Sequence, residues 1–394
     1  MQSLPGFASA FLARGRAPNV GELFQFKAAA MGLRAIANSR GAAFYGGEIA
    51  EAIERFSAQH GGTLTAKDFA DYRCEWVKPI AKNYRGHTLH EIPPNGQGIA
   101  ALIALGILDQ FDVAGLALDG VDSQHLQIEA MKLAFADVYA YVAEPGAMKV
   151  TPEQMLASSY LASRAKLIDM KKAQDFGAGN PMKGGTIYLS AADENGMMVS
   201  FIQSNYMGFG SGCVEPQFGV SLQNRGHAFS LDAGVNQVAP GKRPFHTIIP
   251  AFLTQPKAPP QPHLHPLPPG EGRGEGVPAA DIEPVMSFGV MGANMQPQGH
   301  LQTLVRMLDY RHSPQAACDA PRWRYNAGLE INVEATMNPA TVQGLAERGH
   351  RMEVINDSYQ DFGSGQFIWR AGDPKVEGYV AASDSRRDGQ AAGF

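Results

Sequence analysis

Lys183-Gly184-Gly185-Thr186-Ile187-Tyr188-Leu189-Ser190-Ala191-Ala192 is the stretch on which the reading of this chain turns. A glycine pair closes a loop, and Thr186 opens an alternating run of β-branched and aromatic residues. The run stops at Glu194-Asn195-Gly196, and a second one follows over 199–204. Two such runs about an Asn-Gly turn predict a β-hairpin. The pattern alone favours an ordinary strand start with Thr186 on its exposed face. One chemical feature points further. Cutting the Gly185–Thr186 bond would place the Thr186 hydroxyl beside its own free α-amine. That amine has a reference pKa of about 7.7–8.0, so it can take the hydroxyl proton near neutral pH. Nucleophile and base would then share one residue, with no His or Asp partner required.

Several further segments agree with this. They are Phe209-Gly210-Ser211-Gly212, Gly241-Lys242-Arg243-Pro244, Ala382-Ser383-Asp384 and Asp388-Gly389-Gln390-Ala391-Ala392-Gly393-Phe394. Together with the Thr186 run they resemble the γ-glutamyltranspeptidase family, in the expected order over about 42–394. Its members are N-terminal-nucleophile hydrolases that cut themselves before a Thr. The resemblance implies an α+β fold, a four-layer αββα sandwich. It also implies division into a mostly helical segment 1–185 and a segment 186–394 that carries the nucleophile, the two associating after cleavage. Family members carry a segment upstream of what is found here, with strands of the sandwich and an Arg that grips the substrate α-carboxylate. Residues 1–20 offer no match to it, so the start reads as incomplete. A truncated homologue that keeps the scaffold without catalysis is therefore the rival expectation.

Composition sets outer bounds. The chain has 394 residues, 44% hydrophobic and 18% charged, with net charge −5. That is ordinary globular composition, without the basic excess of a nucleic-acid binder. No uncharged apolar stretch reaches membrane-spanning length. Cys74, Cys213 and Cys318 suggest neither a disulfide framework nor a metal site, and the eleven His are dispersed. No cofactor and no metal is implied. Residues 1–18 lack a basic region followed by an apolar core, so the expected compartment is the cytoplasm.

Along the chain, helices are expected over 22–39, 46–59, 99–110, 123–141, 298–310 and 339–347, with two more in 151–172. Gly61-Gly62 would end the second, and Thr65 would cap a short helix that follows. Residues 76–80 and 84–92 read as paired strands, and Pro93 to Gly98 as a turn next to the active site or a purely structural one. His125 and Glu129, four apart on one helix, read as a packing network rather than ligands. Residues 175–183 read as a linker, 219–224 as strand-like, 256–278 as a disordered Pro/Gly-rich insertion, and 352–380 as the final strands. The second half shows no βαβ rhythm.

The resemblance also implies roles. Thr186 is the nucleophile and, with Gly185, the self-cleavage site. Gly292 and Ala293 match the two backbone donors of an oxyanion hole. Ser204 matches a hydroxyl that bonds the nucleophile. The family's substrate-binding positions fall at Tyr206 beside Asn205, at Ala228 beside His227, and at His246 and Thr247. The residue at 228 in the family is an Asp that pairs with the substrate α-ammonium. A buried ammonium without such a partner is costly, so the resemblance points toward the acylase-like branch. Arg225, His227, His246 and Arg243 could offer donors to a carboxylate instead. The implied substrates are small-molecule amides, γ-glutamyl or another acyl compound, with water or an amine as acceptor.

Overall fold

The computed structural model describes residues 1–12, 14–177, 185–257 and 282–394. Lys183, Gly184, most of the expected linker and nearly all of the expected insertion lie outside the described residues. The described chain forms two compact units. The first gathers Met1–Val77, Gly185, Thr186 and Ser204–His227; the second holds the rest of the described residues. Each draws on both sides of the Gly185–Thr186 bond.

The first unit is built on the helices Lys27–Ser39 and Glu48–Gln59. Ile49, Ala52, Ile53 and Phe218 form its small core. The first helix starts five residues later than expected; 22–26 carry no regular secondary structure. Gly61 takes φ +74° behind the second helix. Thr65 and Asp68 form a reciprocal capping box on the next one.

The second unit centres on a six-stranded antiparallel sheet. Its strands run in the order Ile80–Tyr84, His87–Glu91, Ala251–Pro256, Ile282–Val290, Gly365–Arg370, Tyr379–Ser383. The first two are the expected pair: the first runs downstream from the end of the expected 76–80, and the second falls within the expected 84–92. Arg85 and Gly86, with φ of 51° and 82°, form the two-residue turn that sets the register, so Tyr84 closes one strand rather than opening the next. Strand 282–290 shows how the sheet is sandwiched. Phe288 packs against His300 with the rings tilted by 56°, and Val290 lies under Gly299 of the helix Met295–Leu304. The alternate positions, Ser287 and Gly289, meet the strand Gly185–Ala192 instead. A Cβ on Gly289 would lie 2.5 Å from Cδ2 of Tyr188, so only glycine lets that ring lie against the strand.

The expected hairpin is present, Gly185–Ala192 pairing with Met198–Tyr206. Asp193 closes its loop by accepting the N–H groups of Asn195 and Met197, and Gly196 takes φ +90°. Its outward face carries Ile187, Leu189, Val199 and Phe201, all exposed. On the other side of the sheet, all ten residues of the helix Ile99–Leu108 are buried, beside the long helix Val121–Tyr141.

The expectation of no βαβ unit is corrected. Glu330–Glu334 pairs in parallel with Arg351–Ile355 across the helix Pro339–Glu347. The strand-like run 219–224 shortens to Val220–Ser221. The 298–310 helix begins at Met295 and ends in a wider turn, Val305–Asp309. No helix among the described residues is long and apolar enough to cross a membrane.

Candidate active site

Thr186 is buried at the start of its strand, and its Oγ1 donates to Ser204 Oγ at 3.2 Å. Two residues on, the Tyr206 N–H donates to the same Oγ at 2.8 Å. That local turn aims a Ser204 lone pair and holds Tyr206 at φ +82°, a conformation rare for a bulky residue. Strain of this kind persists only where its surroundings impose it. The buried Tyr206 ring lies under the Arg225 guanidinium, 5.3 Å from its centroid. Arg225 Nη2 also lies 3.5 Å from the Ser204 carbonyl oxygen. Burial pulls Arg225 down to about 10, so it stays cationic at neutral pH, and burial pushes the Tyr206 phenol up to about 12. The Asn205 carbonyl accepts the Asn224 N–H, while His227 is exposed on the short turn Arg225–Ala228. Thr186, Ser204, Asn205, Tyr206, Arg225 and His227 thus share the first unit.

His246, Thr247, Gly292 and Ala293 belong to the second unit. Gly292 and Ala293 take φ of 121° and 50° just after the strand ending at Val290. Thr247 is buried. His246 exchanges main-chain bonds with the Pro93–Gly98 turn: its N–H reaches the Asn95 carbonyl and its carbonyl accepts the Gln97 N–H. The side chains of that turn face protein as well. Asn95 Nδ2 donates to the Pro244 carbonyl at 2.6 Å, and Gln97 Nε2 to those of Thr247 and Ala293 at 2.7 and 2.8 Å. Arg243 forms an exposed pair with Glu144. A cleft of about 270 Å³ opens within this unit, lined by Ile187, Tyr188, Met291, Ser364, Gln366 and Arg387 among others.

His125 and Glu129 are joined by His350, which sequence spacing could not reveal. Lys132 sits among them, its Nζ 2.7 Å from Glu129 Oε1 and 3.3 Å from His350 Nδ1. An ammonium can only donate, so His350 Nδ1 accepts. Its Nε2–H then donates to His125 Nδ1 at 2.8 Å, and His125 Nε2–H reaches the Asp169 carbonyl. Both rings are neutral, and burial lowers both pKa values, His350 to about 2. The cation's part is taken by lysine. Gln174 is gripped at both main-chain groups, its N–H by Glu129 and its carbonyl by Lys132. Lys132→Met would strand the buried Glu129 charge. A loss of about 3–5 kcal/mol in urea unfolding is expected, with most of it recovered by adding Glu129→Leu.

A sequence model of the family described as Gamma-glutamyltranspeptidase matches residues 1–263 and 277–394. The chain belongs to this family. It is 33% identical to the "Glutathione hydrolase-like YwrD proenzyme" of Bacillus subtilis (strain 168), over 100% of this chain and 70% of that protein. It is also 33% identical to the "Oxamate amidohydrolase proenzyme" of Klebsiella pneumoniae, over 99% and 69% respectively. Among solved structures, a cephalosporin acylase from Bacillus halodurans superposes with a TM-score of 0.84 at 45% identity, covering 99% of this chain and 66% of that one. The chain therefore spans about two thirds of the length of these γ-glutamyltranspeptidase-family relatives. Its mixed helix-and-sheet architecture is that of the N-terminal-nucleophile hydrolases, and it is an acylase-like member of the family.

Proposed function

We propose that this protein is an N-terminal-threonine amidohydrolase that cleaves itself between Gly185 and Thr186 and then acts on small amides with an anionic acyl group. The observation that carries this reading is the buried Thr186 hydroxyl donating to Ser204 Oγ. In self-cleavage, Thr186 Oγ attacks the Gly185 carbonyl carbon and the peptide nitrogen leaves as the Thr186 amine. Water then hydrolyses the ester, leaving a Gly185 carboxylate. In turnover the freed amine takes the Oγ proton, and Oγ adds to the substrate carbonyl. The main-chain N–H groups of Gly292 and Ala293 take the oxyanion. The leaving amine departs with a proton, and water, or an amine in transfer, opens the acyl-threonine.

Arg225 supports an anionic acyl group. It is a buried guanidinium within the same unit as Thr186, one carbonyl away from Ser204. Asn205, Tyr206 and His227, with His246 and Thr247, are proposed as further substrate contacts. Ala228 supplies no anion for an α-ammonium, which disfavours a γ-glutamyl head. The relatives named as an oxamate amidohydrolase and a cephalosporin acylase agree with this preference. γ-Glutamyl hydrolysis or transfer is the second reading, favoured by the glutathione hydrolase-like relative that matches the whole of this chain.

Intact mass of the purified protein tests the first step: two fragments are expected, one beginning at Thr186. A single uncut, inert chain would favour the inactive scaffold instead. Steady-state rates on a glutaryl anilide beside a γ-glutamyl anilide test the second, with the glutaryl compound expected to be preferred. Arg225→Gln should raise KM for the glutaryl compound about 10- to 100-fold, the equivalent of about 1.5–3 kcal/mol for a charge-assisted hydrogen bond, with a smaller change in kcat.

A further inference from the structure

We infer that Gln97 is a positioning residue that holds the Gly292–Ala293 turn in its donor-presenting form. This rests on the oxyanion role proposed for that turn and adds a residue to it. Gln97 is fully buried and spends every donor it has on neighbouring carbonyls. Its main-chain N–H goes to His246, and its two amide protons go to Thr247 and Ala293. The amide can be seated only this way round, because the opposite orientation would aim Oε1 at two carbonyl oxygens. Oε1 itself meets no partner among the described residues. Such a buried orphan is unfavourable, and an apolar side chain of the same size would avoid it. The amide is therefore there for the two carbonyls.

Ala293 shows what the bond to its carbonyl does. A residue with a Cβ at φ +50° is strained relative to a right-handed conformation. Relaxation would rotate the peptide between Gly292 and Ala293, carrying the Ala293 N–H out of line. Two bonds on the Ala293 carbonyl oppose this, one from the Gln296 N–H at the start of the helix and one from Gln97. Gly292 is hemmed in separately, its missing Cβ lying 3.3 Å from Gly363 Cα. The same amide nitrogen reaches the Thr247 carbonyl, so one side chain ties the turn to the 246–247 loop.

The test uses Gln97→Met, close in size but without donors, on the self-cleaved enzyme with a glutaryl anilide. A 10- to 100-fold fall in kcat is expected, with KM within about threefold of wild type. Ala293→Gly is then added, since glycine carries no left-handed strain. The ratio of kcat with and without Ala293→Gly should be at least fivefold larger in the Gln97→Met background than with Gln97 present. A merely structural role would not give that coupling. Wild-type kcat in Gln97→Met, or a loss indifferent to Ala293→Gly, overturns the inference. If Gln97→Met does not accumulate, Gln97→Asn, which keeps the amide one methylene short, is read in the same way. Turnover that survives Thr186→Ala would instead sink the underlying threonine mechanism, a result distinguishable from either.

Discussion

A Thr186→Ala chain is expected to stay uncut and to lose at least about a thousandfold in kcat on any amide the parent protein hydrolyses. The reason is chemical economy. Cleavage and turnover draw on one oxygen, and the turnover base exists only after cleavage. Removing the hydroxyl therefore removes both steps together. The fold should survive, because the side chain's bond to Ser204 is a neutral one, worth about 0.5–1.5 kcal/mol. Circular dichroism should match the parent while a denaturing gel shows one band. Thr186→Ser keeps the hydroxyl and should cleave, more slowly. An alanine variant that still splits before residue 186 would show that another nucleophile does the work.

The second large effect lies far along the chain. Asp384 is buried, with Arg322 at 2.9 Å, Arg386 at 3.0 Å and the Gly365 N–H at 2.7 Å. Arg386 pairs with Glu334 as well. Burial alone would raise the Asp384 carboxyl, but Arg322 and Arg386, with the Gly365 and Arg386 N–H groups, outweigh it and hold it below the usual carboxylate range. Asp384→Asn keeps the shape and removes the charge, leaving two buried guanidinium groups with less to face. A loss of about 3–5 kcal/mol is expected, read as a lower urea midpoint with an unchanged slope. The pH dependence has a definite sign. A depressed folded-state pKa contributes stability that is present above the unfolded value of about 3.9 and is lost as pH falls through the folded one. The gap between parent and variant should therefore narrow on acidification below about pH 4, and a gap constant down to pH 2 would contradict this account.

How much of this could be read from residues alone depended on distance along the chain. The helix Pro339–Glu347 matched its expected bounds, and the Thr65 cap and the hairpin opening near Thr186 were legible. Their signals are local: a Pro near a helix start, a capping residue, an Asn-Gly turn. The Ile80–Tyr84 strand was placed too early because Arg85-Gly86 does not advertise a turn as Asn-Gly does. The parallel pairing of 330–334 with 351–355 has no signature in either strand by itself. The same holds for the site. Ser204 could be paired with Thr186 through a family motif. Gln97 could not be assigned its partners, which lie 150 and 196 positions away and are main-chain carbonyls that any residue would supply. His350 likewise joins His125 and Glu129 only through the fold.

Tyr188 over Gly289 has a consequence for the strand that begins at Gly185. Alternation by itself tolerates sliding in steps of two, since every second residue points the same way. A ring fitted to one missing side chain does not. Moved two places, the phenol would leave a vacancy the size of a benzene ring behind it and strike a neighbour that has a Cβ. The hairpin is thus keyed to the sheet at a single notch, set by one aromatic ring over one missing side chain.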